Sequence, residues 1–135
     1  AELNKTVDLF EFGHEFSQKD FEKFRDEDTL IFCDIEGAEI ELLDPRKVPY
    51  LSDMDILVET HDINEQGVLH ALTNRFEDTH EITKIEDNGQ RYLPKLPSWF
   101  LTLPHLDQLL AVWEMRSGPT PWLVMKSITK KSLDI

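Results

Sequence analysis

The sequence predicts one layered α/β domain, and three observations carry that expectation. Short apolar runs, Leu30-Ile31-Phe32-Cys33, Ile56-Leu57-Val58 and Trp122-Leu123-Val124-Met125, have the length and composition of strands covered by other elements. Between them lie segments of helical period: Val68, Leu69, Leu72 and Phe76, then Leu106, Leu109, Leu110 and Trp113. A chain of 135 residues has the size of one hydrophobic core, and strands alternating with helices favour a sheet with helices packed on it.

The elements follow in order. Lys5 to Phe12 mixes Val7, Leu9, Phe10 and Phe12 with acids and stops at Gly13, as a strand does. Ser17 then offers an N-cap with Asp20 as a short capping-box partner, while Phe16 and Phe21 take the hydrophobic-staple positions of a helix continued by Phe24. The run from Leu30 into Asp34-Ile35 reads as a central parallel strand covered on both faces. Glu36 to Leu43 places acids in a first helical turn and ends at Asp44-Pro45. Ile56 to Val58 closes on Glu59-Thr60-His61-Asp62, and a helix is expected from about Glu65 to Phe76. Ile82 and Ile85 predict a further strand, ended by the Asn88-Gly89 turn signal. The stripe from Leu106 to Trp113 starts near Pro104 and stops before Gly118-Pro119.

Charge and cysteine content exclude whole classes of function. With 27 Asp and Glu against 14 Lys and Arg the net charge is −13, a field that repels nucleic-acid backbones and anionic membrane surfaces. No apolar run approaches the ~20 residues of a membrane span. The single cysteine, Cys33, forbids an intramolecular disulfide framework, and no secretory h-region is present, so a cytoplasmic location is expected. Glycine-rich nucleotide loops, nucleophile elbows and His-Glu-x-x-His are all missing. Cys33 sits inside an apolar run without a flanking base, which leaves it no case as a nucleophile.

Two strands end in acidic clusters, and that is where ligands sit in open α/β sheets. If the Leu30 and Ile56 runs are adjacent and parallel, Asp34, Glu36, Glu59, His61 and Asp62 face one crevice. Such groups can act as acid or base, grip a ligand hydroxyl or amine, or hold a hard cation such as Mg²⁺. Glu36 and Glu39 near a helix start are also stabilised by the helix dipole alone. Asp34, polar immediately after a buried run, is the residue packing explains least. His80, near a helix end, is a further candidate for the crevice. His14, His70 and His105 lack paired acids at ligand spacing and read as surface or structural residues.

The string Cys33-Asp34-Ile35-Glu36-Gly37-Ala38-Glu39, followed by Asp55-Ile56-Leu57-Val58-Glu59-Thr60-His61, resembles the later half of the FkbM-type S-adenosylmethionine-dependent methyltransferases. The resemblance is specific over residues 30–62 and loose beyond. It implies a partial Rossmann-like, methyltransferase-type sheet. The two central parallel strands would be the family's fourth and fifth, and the last two strands an antiparallel edge. It implies catalytic roles for Asp34, Glu36 and His61 on the acceptor side of a cleft, with Glu39, Glu59, Asp62 and His80 nearby as substrate-binding groups. The reaction would be in-line displacement of a methyl group onto an oxygen or nitrogen of a small-molecule or sugar acceptor. Similarity to the catechol O-methyltransferase group implies a Mg²⁺ site at Asp34 and Asp62. Leu30 already opens the family's fourth strand, so residues 1–135 are expected to form one incomplete methyltransferase domain, without the N-terminal strands that bind S-adenosylmethionine. Such a half is expected to be inactive in isolation and to associate with itself or need a missing segment, and the other reading is a non-catalytic Rossmann-like interaction module.

Overall fold

The computed structural model describes residues 9–11, 13–62, 67–87, 95–113 and 118–129. Four apolar segments pair into one mixed sheet: β1 (Leu30–Cys33), β2 (Asp55–Glu59), β3 (His80–Ile85) and β4 (Trp122–Ser127). Their spatial order is β1-β2-β4-β3. β1 and β2 run parallel with Cys33 opposite Val58, whereas β4 lies antiparallel to both β2 and β3. The α/β class and the parallel pair agree with the sequence reading. Among the described residues the sheet has four strands.

The helices are shorter than their periodicity predicts. Ser17 precedes a 3₁₀ helix, Gln18–Phe24, and the Asp20 carboxylate accepts hydrogen bonds from the Ser17 backbone N–H (2.8 Å) and hydroxyl (2.7 Å). Phe16 packs edge-on against buried Phe21 with ring centroids 4.9 Å apart, completing the staple. α1 is only Glu39–Leu42, because Glu36 and Gly37 both take positive φ, 53° and 106°, and cannot start it. A second 3₁₀ helix, Pro49–Asp53, buries Leu51 where the sequence indicated a plain connection. α2 (Val68–Phe76) begins after Gly67 and buries Val68, Leu72 and Phe76. α3 (His105–Ala111) forms where its apolar stripe predicts, yet it buries none of its residues, and Leu106, Leu109 and Leu110 are exposed. The predicted strand at Lys5 to Phe12 falls largely outside the described residues, and Leu9 to Glu11 form no strand. The Asn88-Gly89 turn also lies outside them.

The core lies on one face of the sheet. Cys33, Ile56, Val58, Leu123 and Met125 meet Leu43, Leu51, Leu72 and Phe76 there, all nearly inaccessible to solvent. Arg75 ties α2 to α1 by donating from Nη1 to the carbonyls of Ile40 and Leu43, the latter at 3.1 Å. This accounts for Arg75 as a capping group for orphan carbonyls. β1 differs from the expectation of a central strand covered on both faces: among the described residues it lies at the edge of the sheet, and its Leu30 and Phe32 are 65% and 66% exposed. Alternation explains the difference, since Ile31 and Cys33 point to the core while Leu30 and Phe32 point to the uncovered face. Phe32 meets Trp122 there, ring centroids 5.3 Å apart. No helix among the described residues is long and apolar enough to cross a membrane.

Two outcomes follow. Phe76 is fully buried, so Phe76→Ala should lower unfolding free energy by about 3–5 kcal/mol in a denaturant titration. Asp44 is buried and receives two hydrogen bonds from the Arg46 guanidinium, at 3.0 and 2.9 Å, which hold its carboxyl down at about 2 against an ordinary 3.8. Its contribution is therefore complete above pH 3.8 and is lost as pH falls through about 2. Asp44→Asn should lower stability at pH 5 and converge with the wild type near pH 2, read by denaturation at stepped pH.

Candidate functional site at the ends of two parallel strands

Parallel pairing of β1 and β2 brings the residues after both strands side by side, as the sequence reading requires. At their centre is His61, two residues beyond β2 and 2% exposed. Its Nδ1 contacts Glu39 Oε1, and Glu39 is itself fully buried. The same oxygen accepts the Gly37 backbone N–H at 3.2 Å. With Nδ1 against Oε1, Nε2 is the ring nitrogen turned away from Glu39.

Nε2 faces three further carboxyl groups. Asp34 Oδ1 lies at 3.8 Å, Glu36 Oε1 at 3.7 Å and Glu59 Oε2 at 3.7 Å. These separations exceed hydrogen-bonding distance, and buried Nε2 has no hydrogen-bond partner among the described residues. The side chains of Asp34 and Glu36 are 41% and 73% exposed, so the cluster opens to solvent on their side. Glu59 closes the opposite side, and its Oε1 accepts from the Thr120 hydroxyl at 2.6 Å. Thr60 fastens the end of β2 by donating its N–H (2.9 Å) and hydroxyl (2.8 Å) to the Pro121 carbonyl.

Local backbone geometry puts the acids there. Glu36 at φ 53° occupies left-handed space that glutamate seldom takes, and Gly37 at φ 106° occupies space that favours glycine. The reversal turns the chain back beneath the end of β1 so that Glu39 enters the core against His61. Strain of this kind is characteristic of binding and catalytic sites.

The other candidates separate from this centre. Asp62 Oδ1 accepts the Leu69 N–H at 3.2 Å and so caps the first turn of α2. It is outside the group formed by Asp34, Glu36 and His61, whose ligand atoms all lie within 4.8 Å of one another. The structure thus does not bring Asp34 and Asp62 together as a metal pair, because Asp62 turns to the helix it precedes. His80 opens β3 beside the start of β2, at the far end of the sheet from Glu59. Its Nε2 donates to the Met54 carbonyl at 2.8 Å, Nδ1 lies 2.9 Å from the Thr79 hydroxyl, and burial pushes the imidazole below its usual range. It is a core histidine with both nitrogens engaged. Cys33 is buried, and removal from water, reinforced by Glu39 and Asp34, pushes its thiol up to about 12.

Comparison of the chain with protein-family models, curated proteins and solved structures finds no match. The site is therefore argued from its own groups. Sequence reasoning did not anticipate Thr120 as the hydroxyl that fixes Glu59, since nothing in Gly118-Pro119-Thr120-Pro121 marks it, nor the burial of Glu39 under His61.

Glu36→Gly should relieve the left-handed strain and one carboxylate of the cluster together. The variant is expected to hold or raise unfolding free energy, by up to about 1 kcal/mol, while removing one carboxylate from the cluster. A lower melting temperature would contradict this account of the turn.

Proposed function

We propose that this chain supplies the acceptor side of an S-adenosylmethionine-dependent methyltransferase acting on an oxygen or nitrogen nucleophile in the cytoplasm. The observation that carries the reading is the His61 imidazole, its Nδ1 against buried Glu39 and its Nε2 directed, without a hydrogen-bond partner among the described residues, into a solvent-open acidic crevice. Further support comes from the strand pattern that the resemblance implies. Two parallel strands end in the Asp34-x-Glu36 and Glu59-x-His61 strings, and the last two strands are antiparallel.

The described residues do not fit S-adenosylmethionine. No Gly-x-Gly turn follows a strand, and a Cβ built at Gly13 or Gly67 meets nothing within 4 Å, so neither glycine sits in a close-fitting cradle. The chemistry assigned to this chain is accordingly confined to the acceptor. A hydroxyl or amine of a neutral or cationic acceptor enters beside Asp34 and Glu36, whose oxygens take its hydrogen bonds. Nε2 takes up its proton. Glu39 holds the orientation of the ring throughout.

One observation favours the interaction module as a second reading. An apolar groove of about 290 Å³ lies along β1, lined by residues including Phe16, Leu30, Phe32 and Ile35, at an edge of the sheet that no strand among the described residues pairs. The two readings separate by assaying label transfer from S-adenosylmethionine to hydroxyl and amine acceptors with the native polypeptide that carries this sequence. Transfer is expected, and His61→Ala should lower kcat by about 10²–10⁴-fold with cofactor affinity unchanged. Neither cofactor binding nor transfer, with stable self-association on light scattering, would favour the module.

A further inference from the structure

We propose that Asp34, Glu36 and His61 form a binding site for a borderline divalent cation, Zn²⁺ or Mn²⁺, with Glu39 as its positioning residue. The inference concerns the same three residues as the proposed function but stands on the geometry around His61, and cation binding is measured without methyl transfer.

An acidic cluster alone is an ordinary surface feature. Here the added observation is Nε2, an unpartnered nitrogen on a side chain 3% exposed, pointing at the three acids. Three carboxylate oxygens stand 3.7–3.8 Å from it, beyond hydrogen-bonding distance and near the spacing of donors that share one cation. A cation bound at about 2.1 Å to each donor places neighbouring donors roughly 3.0–3.4 Å apart. The donor atoms of Asp34, Glu36 and His61 lie within 4.8 Å of one another, and the two exposed acids close around the ion when it binds. Glu59, pinned by Thr120, offers Oε2 from the closed side.

The donor set selects the metal. One imidazole with two or three carboxylates suits Zn²⁺ and Mn²⁺, while Ca²⁺ and Mg²⁺ take oxygen-only shells. A buried carboxylate on the far nitrogen of a ligating histidine is the arrangement that orients such rings in metal sites. The cation and an acceptor's proton compete for one lone pair, so the site holds one or the other at a time.

Isothermal titration of the chelator-treated full chain with ZnCl₂, and separately with MnCl₂, tests the assignment. One equivalent should bind per chain. Asp34→Asn and Glu36→Gln, both at exposed positions, should each weaken binding at least tenfold with circular dichroism unchanged, and Glu39→Gln should weaken it about 10–100-fold. Zn²⁺ should also shift the His61 Nε2 resonance in ¹⁵N-histidine-labelled protein, a signature that loss of folding cannot mimic. Undiminished affinity in the Asp34→Asn/Glu36→Gln double variant, Mg²⁺ or Ca²⁺ binding as tightly as Zn²⁺, or an unmoved His61 resonance would each overturn the proposal.

Discussion

The contact between Glu39 and His61 ties the two halves of the site into one object. It joins the segment after β1 to the segment after β2 inside the core, where water is unavailable to either group. A buried carboxyl and a buried imidazole are each costly alone and tolerable together, so each confines the other. Once Glu39 must reach His61, the chain between Cys33 and Glu39 has little latitude. It reverses through two positive-φ residues, and that reversal carries Asp34 and Glu36 to the rim of the same imidazole. The strained turn, the short α1 and the orientation of the His61 ring are consequences of one pairing.

Charge concentration is the second constraint. Four carboxyl groups converge on one ring in a chain whose net charge is already −13. Packing has no use for this arrangement, which accumulates repulsion beside the hydrophobic core. The positions that hold it are well secured: Glu59 by Thr120, the end of β2 by Thr60 and Pro121, and α1 by Arg75. Firm support beneath a self-repelling cluster is what a site for a proton or a cation requires.

The opposite face of the sheet obeys different physics. Leu30, Phe32 and Ile85 remain largely exposed there, with the edge of β1 that no described strand pairs beside them. A parallel strand at an edge, bearing aromatic side chains toward solvent, is suited to further covering. α3 shows the same imbalance, its apolar stripe exposed along its length.

Local pattern was enough to determine several features. The apolar runs declared β1, β2 and β4, the Ser17 and Asp20 pair declared its capping box, and the acids after β1 and β2 declared where chemistry was to be sought. Each depends on residues a few positions apart, and short-range sterics and hydrogen bonding act at that range. Tertiary structure alone decided the rest. It placed β1 at the edge, because strand neighbours are chosen by pairing between distant segments. It turned Asp62 to cap α2, and buried His80 at the far end of the sheet with both nitrogens satisfied. It set Glu39 against His61 across 22 residues and Thr120 against Glu59 across 61, distances over which periodicity carries no information. A sequence can name groups capable of acid, base or ligand chemistry, but which lone pair each presents is settled by the partner that folding places behind it.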